Sequence, residues 1–298
     1  MAAPPGLFEG LVDDAAMFPP GNAEVDQAVM AHLEYRSSWF APVIGPLVVS
    51  DQRLAEVGRA LRPSAGAQTD HGQDDLPPAE ATVAVSVVNT TGAGGLVSLA
   101  QRAVPGVRVV AVESALRDLD DLAGNAARVV SAAAELEPEV QVFVEIPYAP
   151  GWERAVDEVE AAGHHGKIRT GGPAAQDCPG AGQLARQLSV LVEADLPFKA
   201  TAGLHHAWPT AGSDPAHPQQ HGFLNLLLAV EALVEGASEA EAAGLLALTE
   251  RGAVVGIVAG WSAEQAARVR RRLRSFGCCG VLDPVGDLVA AGLLSEPA

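Results

Sequence analysis

Of the 19 Lys and Arg residues in this 298-residue chain, only two, Lys167 and Lys199, are lysines. Wherever a fixed positive charge suffices, the chain uses arginine, so these two positions are candidates for work that a guanidinium cannot do. A guanidinium stays protonated and is a poor nucleophile, whereas a desolvated amine can lose its proton and attack a carbonyl carbon. Lys167 lies in H-G-K-I-R-T-G-G and Lys199 in L-P-F-K-A-T-A-G, two strand-length stretches that run into glycine turns. Alternation along a strand turns Lys167 and Arg169 to one face and Ile168 and Thr170 to the other. On the second stretch it pairs Lys199 with Thr201, opposite Phe198. On neighbouring strands ~4.8 Å apart, the two amines are expected ~5 Å from one another. Like charges at that distance repel by roughly 3 kcal/mol at an effective dielectric of ~20, and burial acts in the same direction. One lysine is therefore expected to be neutral near physiological pH, an activated nucleophile beside a cation. A second expectation is purely structural: both lysines are ion-paired plugs, with Glu145 and Asp13 or Asp14 as partners.

The neighbouring residues suggest how a substrate would be held. Arg169 can clamp a carboxylate or phosphate in bidentate fashion. Backbone amides at Gly171, Gly172 and Gly203 can cradle an anion, although glycine is also ordinary in such turns. Thr170 and Thr201 add hydroxyls. His205 and His206 follow the second lysine stretch and suit substrate hydrogen bonding or proton transfer near neutrality. His164-His165 suits a helix C-terminus. A metal reading would join His205-His206 and His164-His165 to Glu145 and a carbamylated Lys167. With no H-x-H on the first strand and no H-E-x-x-H, no bound metal is expected. There is no G-x-x-x-x-G-K-[ST] segment, and Thr91–Gly95 lacks the G-x-G-x-x-G register, so no cofactor is expected either. Cys278 and Cys279 are expected mainly to pack.

Positioning such a site falls to an alternation of apolar strand-length runs with helical patterns, the mark of βαβ units. The expected fold is α/β, a single-domain (β/α)8 TIM-type barrel over 1–298. Strands are expected at Gly10–Met17, Ala41–Val49, Thr82–Asn89, Val107–Glu113, Val140–Ile146, His165–Thr170 and Leu196–Ala202. Two segments compete for the eighth. Arg274–Cys279 is preferred, leaving Ala253–Ala259 as an extra strand or hairpin before it. Barrel active sites are built at the C-terminal ends of strands. On that face, 208–222 is expected to form a lid-like loop, while the Pro/Gly-rich stretch 63–80 is expected to be a mobile loop on the opposite face.

Composition narrows the partners. The net charge of −18 opposes binding to nucleic acid or an anionic membrane. The basic run Arg268–Arg274 is expected to be one solvated helix face. Three cysteines cannot build a disulfide framework, which points to a reducing compartment. No signal-like N-terminus and no 18-residue apolar run is evident, so a cytoplasmic location is expected. A homo-oligomer is left open.

The two lysine stretches resemble those of the class I aldolases of the deoxyribose-phosphate aldolase type. That family carries a Schiff-base lysine on strand six in a K-T-S-T-G-like stretch and a perturbing lysine on strand seven in a K-x-A-G-G-like stretch. Here K-I-R-T-G-G and K-A-T-A-G stand in the same order. The resemblance extends to V-F-V-E-I on strand five, to Leu11-Val12-Asp13 on the first strand, and loosely to Ser275–Cys279, where the family holds a phosphate. It implies that Lys167 forms the imine, Lys199 perturbs it, and Glu145 and Asp13 belong to the catalytic set. It departs at strand four, where Val109–Val112 fill the place of the family's proton-relaying acid and Glu113 comes late. It departs also at Arg169 and at His205-His206. The implied function is a carbon–carbon lyase acting through a lysine imine on a small acidic or phosphorylated carbonyl compound. A non-catalytic barrel binding a small acid, and a metal-dependent hydrolase using His205 and His206, are the alternatives.

Overall fold

The computed structural model describes residues 3–62, 82–172, 177–210 and 220–297. Eight parallel strands close on themselves in sequence order: β1 Val12–Asp14, β2 Ile44–Ser50, β3 Val83–Asn89, β4 Val107–Ala115, β5 Gln141–Glu145, β6 His165–Arg169, β7 Phe198–Thr201 and β8 Leu273–Cys278. β1 pairs with both β2 and β8, which completes the barrel. Helices α1 Val25–Ser37, α2 Leu54–Ala60, α3 Ala93–Ala100, α4 Leu122–Ala133, α5 Trp152–Ala161 and α6 Ala181–Glu193 follow the first six strands in turn. The expected (β/α)8 architecture is what the chain adopts.

The last third carries more helix than its sequence pattern suggested. Between β7 and β8 lie α7 Phe223–Val234, α8 Glu239–Leu246, α9 Arg251–Ala259 and α10 Ala263–Arg272, and α11 Leu282–Ala290 follows β8. The extra strand or hairpin expected at Ala253–Ala259 is thus a helix. Its buried residues, Val254 and Val258, are four apart and dock on α7, while Ile257 is 43% exposed. The β-branched composition that suggests a strand is overridden by this one-sided burial. α7 is in turn almost wholly buried because α6, α8, α9 and α10 all pack on it. The basic run is not one helix face either. α10 ends at Arg272, Arg274 lies in β8, and Arg268 and Arg272 pair with Glu235 and Asp195.

Two strand irregularities bear on the site. Val85 pairs with Val109 but Ser86 pairs with Ala111, so β4 carries one extra residue at Val110. Such a bulge bends a strand and re-aims the side chains beyond it. β4 continues to Ala115, and Glu113 lies within it rather than at its end. On β2, a Cβ at Gly45 would collide with Asp13 Oδ1, so only glycine lets the Asp13 carboxylate lie across this strand. The segment 63–80 and residues 211–219 of the lid-like stretch fall outside the described residues. The ends of that stretch meet in an antiparallel bridge between Thr210 and Gln220. No single helix among the described residues is long and apolar enough to cross a membrane.

Candidate active site

Strand register brings the two lysines side by side. Lys167 of β6 is the direct partner of Lys199 on β7 and of Glu145 on β5. Both lysines point into the barrel and are buried, Lys199 to 1% exposure. They do not face each other bare. Glu113 reaches between them from β4, with Oε2 2.8 Å from Lys167 Nζ and Oε1 2.7 Å from Lys199 Nζ. Lys167 also meets Glu145 Oε2 at 2.8 Å, and Lys199 also binds Asp13 Oδ2. Arg169, half exposed at the barrel mouth, reaches Glu145 Oε1 at 3.5 Å. Hydroxyls fix the carboxylates from behind: Ser86 donates to Glu113 at 2.6 Å and Ser275 to Asp13 at 2.7 Å. Five strands beyond the lysine pair, from β1 to β8, thus converge on one chain of alternating charge.

The sequence leaves Glu113 open, beside Glu145 and a histidine, as a proton-relaying acid but, with Glu113 late in the expected strand, does not place it among the site residues. The bulge at Val110 re-aims the strand beyond it, and no residue type in the segment advertises that irregularity. Asp13, rather than Asp14, is the inward acid of β1. Asp14 turns outward to His32 of α1 at 3.0 Å.

The electrostatics correct a second expectation. Burial alone would lower the Lys167 pKa, and Lys199 adds to that, but Glu113 and Glu145 outweigh both and hold it above the ordinary 10.5. Burial works against Lys199 in the same way and is overcome by Asp13 and Glu113. Lys199 therefore does not keep Lys167 neutral at rest, because carboxylates intervene between the like charges. Glu113 is pulled well below the usual carboxylate range, its burial outweighed by Lys167 and Lys199. Asp13 behaves oppositely: burial, its largest influence, keeps it a weaker acid than usual despite Lys199 and Ser275.

These shifts define two stability arms. The folded pKa of Glu113 lies below its unfolded 4.5, so its contribution is complete above that value and is lost as pH falls. The folded lysine pKa values lie above 10.5, so their contribution is complete below that value and is lost as pH rises through the folded values. Thermal unfolding against pH should therefore show a plateau flanked by both arms. Lys199→Met should flatten the alkaline arm; an unchanged arm in that variant would remove Lys199 from the account.

The other expected site residues divide. Thr170 is spent internally: it is buried, and Oγ1 donates to the Ala202 carbonyl at 2.5 Å. Gly171 and Gly203 are where β6 and β7 nearly touch, since a Cβ on Gly171 would lie 3.0 Å from Gly203 Cα, and Gly203 has φ +75°. That close approach accounts for both glycines without an anion. Gly172 is likewise crowded, by Asp177. Thr201 is half-buried at the level of Gly277 on β8. His205 and His206 turn to different partners, Asp283 at 3.4 Å and Asp287 at 3.2 Å, neither joining Glu145. Among the described residues, no group of three or more His, Cys, Asp and Glu side chains is arranged to hold a metal ion. His165 opens β6 rather than ending a helix, and burial first, with Arg274 second, pushes its imidazole down to about 4.

A buried acid–amine relay at the C-terminal mouth of a (β/α)8 barrel is a site able to transfer protons and, once Lys167 is deprotonated, to add an amine to a carbonyl. No protein-family model matches the sequence, and no curated protein is significantly similar to it, so the chemistry must be read from these residues themselves.

Proposed function

We propose that this barrel is an aldolase-like carbon–carbon lyase that works through an imine between Lys167 and a small acidic carbonyl compound. The observation that carries the reading is Glu113 seated between Lys167 and Lys199. It supplies, on strand four, the proton-relaying acid that the resemblance to deoxyribose-phosphate aldolases lacked in sequence. Lys167 Nζ passes a proton to Glu113 and attacks the carbonyl carbon. The relay returns a proton to the carbinolamine oxygen, which leaves as water, and the iminium then takes up electrons from the breaking carbon–carbon bond. Arg169, at the mouth and only loosely held by Glu145, pairs with the substrate's acidic group.

Lys167 is protonated at rest, because Glu113 and Glu145 hold its pKa above 10.5, so imine formation draws on the minor neutral form. The same protonation favours a second reading, a non-catalytic barrel whose fixed cations hold a small acid. Borohydride reduction with a panel of small keto and aldehyde acids, read by intact mass and peptide mapping, separates the two. Imine chemistry predicts a reduced adduct on Lys167 whose rate of formation rises about tenfold per pH unit between pH 7 and 9, following the neutral amine. A bound acid with no adduct at any pH would leave the binding reading in place.

A further inference from the structure

A second cluster lies on the rim, apart from the lysine relay. Cys279 immediately follows β8, four residues beyond Ser275, or ~13 Å toward the mouth if the chain stays extended. Its Sγ lies 3.5 Å from His205 Nε2, on the loop after β7. The opposite ring nitrogen, Nδ1, lies 3.4 Å from Asp283 Oδ2 in the first turn of α11. With the Nδ1 proton directed at Asp283, Nε2 presents its lone pair to the thiol. This is the order acid, imidazole, thiol that activates a nucleophile.

The surroundings are shaped for this contact. A Cβ at Gly280 would lie 2.6 Å from Asp283 Oδ2, and one at Gly21 would lie 3.0 Å from Cys279 Cβ. Both glycines let the chain close around the three side chains. Cys278 also approaches His205 Nδ1, at 3.8 Å, but it is buried and its thiol is pushed up to about 12 by that burial, so it is the inert member of the pair. Cys279 is half-buried. Burial raises its thiol pKa, the Gly21 amide works against that, and Asp283, with Asp14 from β1, adds to it. Deprotonation thus depends on the imidazole.

We infer that Cys279, His205 and Asp283 form a second covalent site that takes up a small neutral aldehyde as a hemithioacetal. Asp14 and Asp283 disfavour an anionic electrophile, and an aldehyde needs no leaving group and no oxidant. His205 Nε2 takes the thiol proton, the sulfur–carbon bond forms as the carbonyl π bond opens, and the proton passes from His205 to the new alkoxide. Atoms and charge balance, and the step is reversible. It does not depend on an imine at Lys167.

The test uses the full chain with Lys167→Arg, so that no imine competes, and acetaldehyde labelled with 13C at its carbonyl carbon. The expected result is a protein-bound carbon signal of the hemithioacetal type that disappears in Cys279→Ser. In the parent chain, alkylation of Cys279 by iodoacetamide at pH 7 should slow about 100-fold in His205→Gln and less in Asp283→Asn. An alkylation rate unaffected by His205→Gln would overturn the triad. A His205-dependent rate without the 13C adduct would overturn the aldehyde assignment. Because the adduct is sought without Lys167, failure of either result leaves the lysine reading untouched.

Discussion

Lys167→Arg is expected to abolish both borohydride trapping and turnover, a loss of at least about 1,000-fold, while the barrel still folds. The position is 6% exposed and its charge is satisfied by Glu113 and Glu145, two acceptors that a guanidinium can also engage. Charge and hydrogen bonding can therefore survive, but a guanidinium forms no productive imine. Lys199→Arg should behave differently. It keeps the cation next to Glu113, so trapping at Lys167 should persist. The larger head must fit a fully enclosed space between Asp13 and Glu113, and overpacking of that kind costs about 1–3 kcal/mol of stability. The two variants thus separate nucleophile from neighbour: one loses chemistry with modest loss of stability, the other the reverse. Trapping with peptide mapping, turnover, and denaturant unfolding read the three quantities. Retained turnover in Lys167→Arg with any substrate would sink the imine assignment.

The contrast between what the chain's sequence foretold and what it did not follows the range of the forces involved. β6 and β7 were legible because alternation is local: Lys167 and Arg169 point inward while Ile168 is buried outside, as residue spacing requires. Strand order was legible because short alternating segments leave few ways to wind a parallel sheet. The placement of Glu113 between the lysines was illegible because it depends on a register irregularity with β3, a non-local pairing. α9 was illegible because its apolar, β-branched run reads as strand until α7 is known to cover one side of it. The protonation state failed for the same reason as Glu113. Two lysines counted alone imply mutual repulsion, and only the arrival of acids from β1, β4 and β5 reverses its sign. Local pattern placed the reactive groups; non-local pairing set their charge.

Glu113→Gln is expected to have the largest combined effect of any single change in the site, because one carboxylate satisfies two buried ammonium groups. Glutamine offers one acceptor oxygen and replaces the other with an NH2 donor, so one lysine gains a donor–donor contact in place of an ion pair. Leaving a buried charge uncompensated costs about 3–5 kcal/mol, and the variant should lose stability on that order at pH 7. Removing Glu113 removes the strongest attraction that holds Lys167 above 10.5 and one of the two that hold Lys199 there, while burial and mutual repulsion remain. The folded lysine pKa values then fall, and a lysine whose folded value drops below its unfolded one carries a penalty that is relieved as pH rises. Thermal stability of Glu113→Gln should accordingly increase between pH 7 and pH 10, a range over which the parent chain stays level. Chemistry should split in a way that simple damage would not produce. A less tightly protonated Lys167 traps carbonyl compounds faster at pH 7, yet turnover falls, because the group that returns the proton to the leaving oxygen is gone. Glu113→Asp keeps the charge but shortens the reach to both lysines, and it should recover stability more fully than turnover. Equal loss of trapping and turnover in Glu113→Gln, with no upward slope of stability against pH, would mean that Glu113 only braces the barrel.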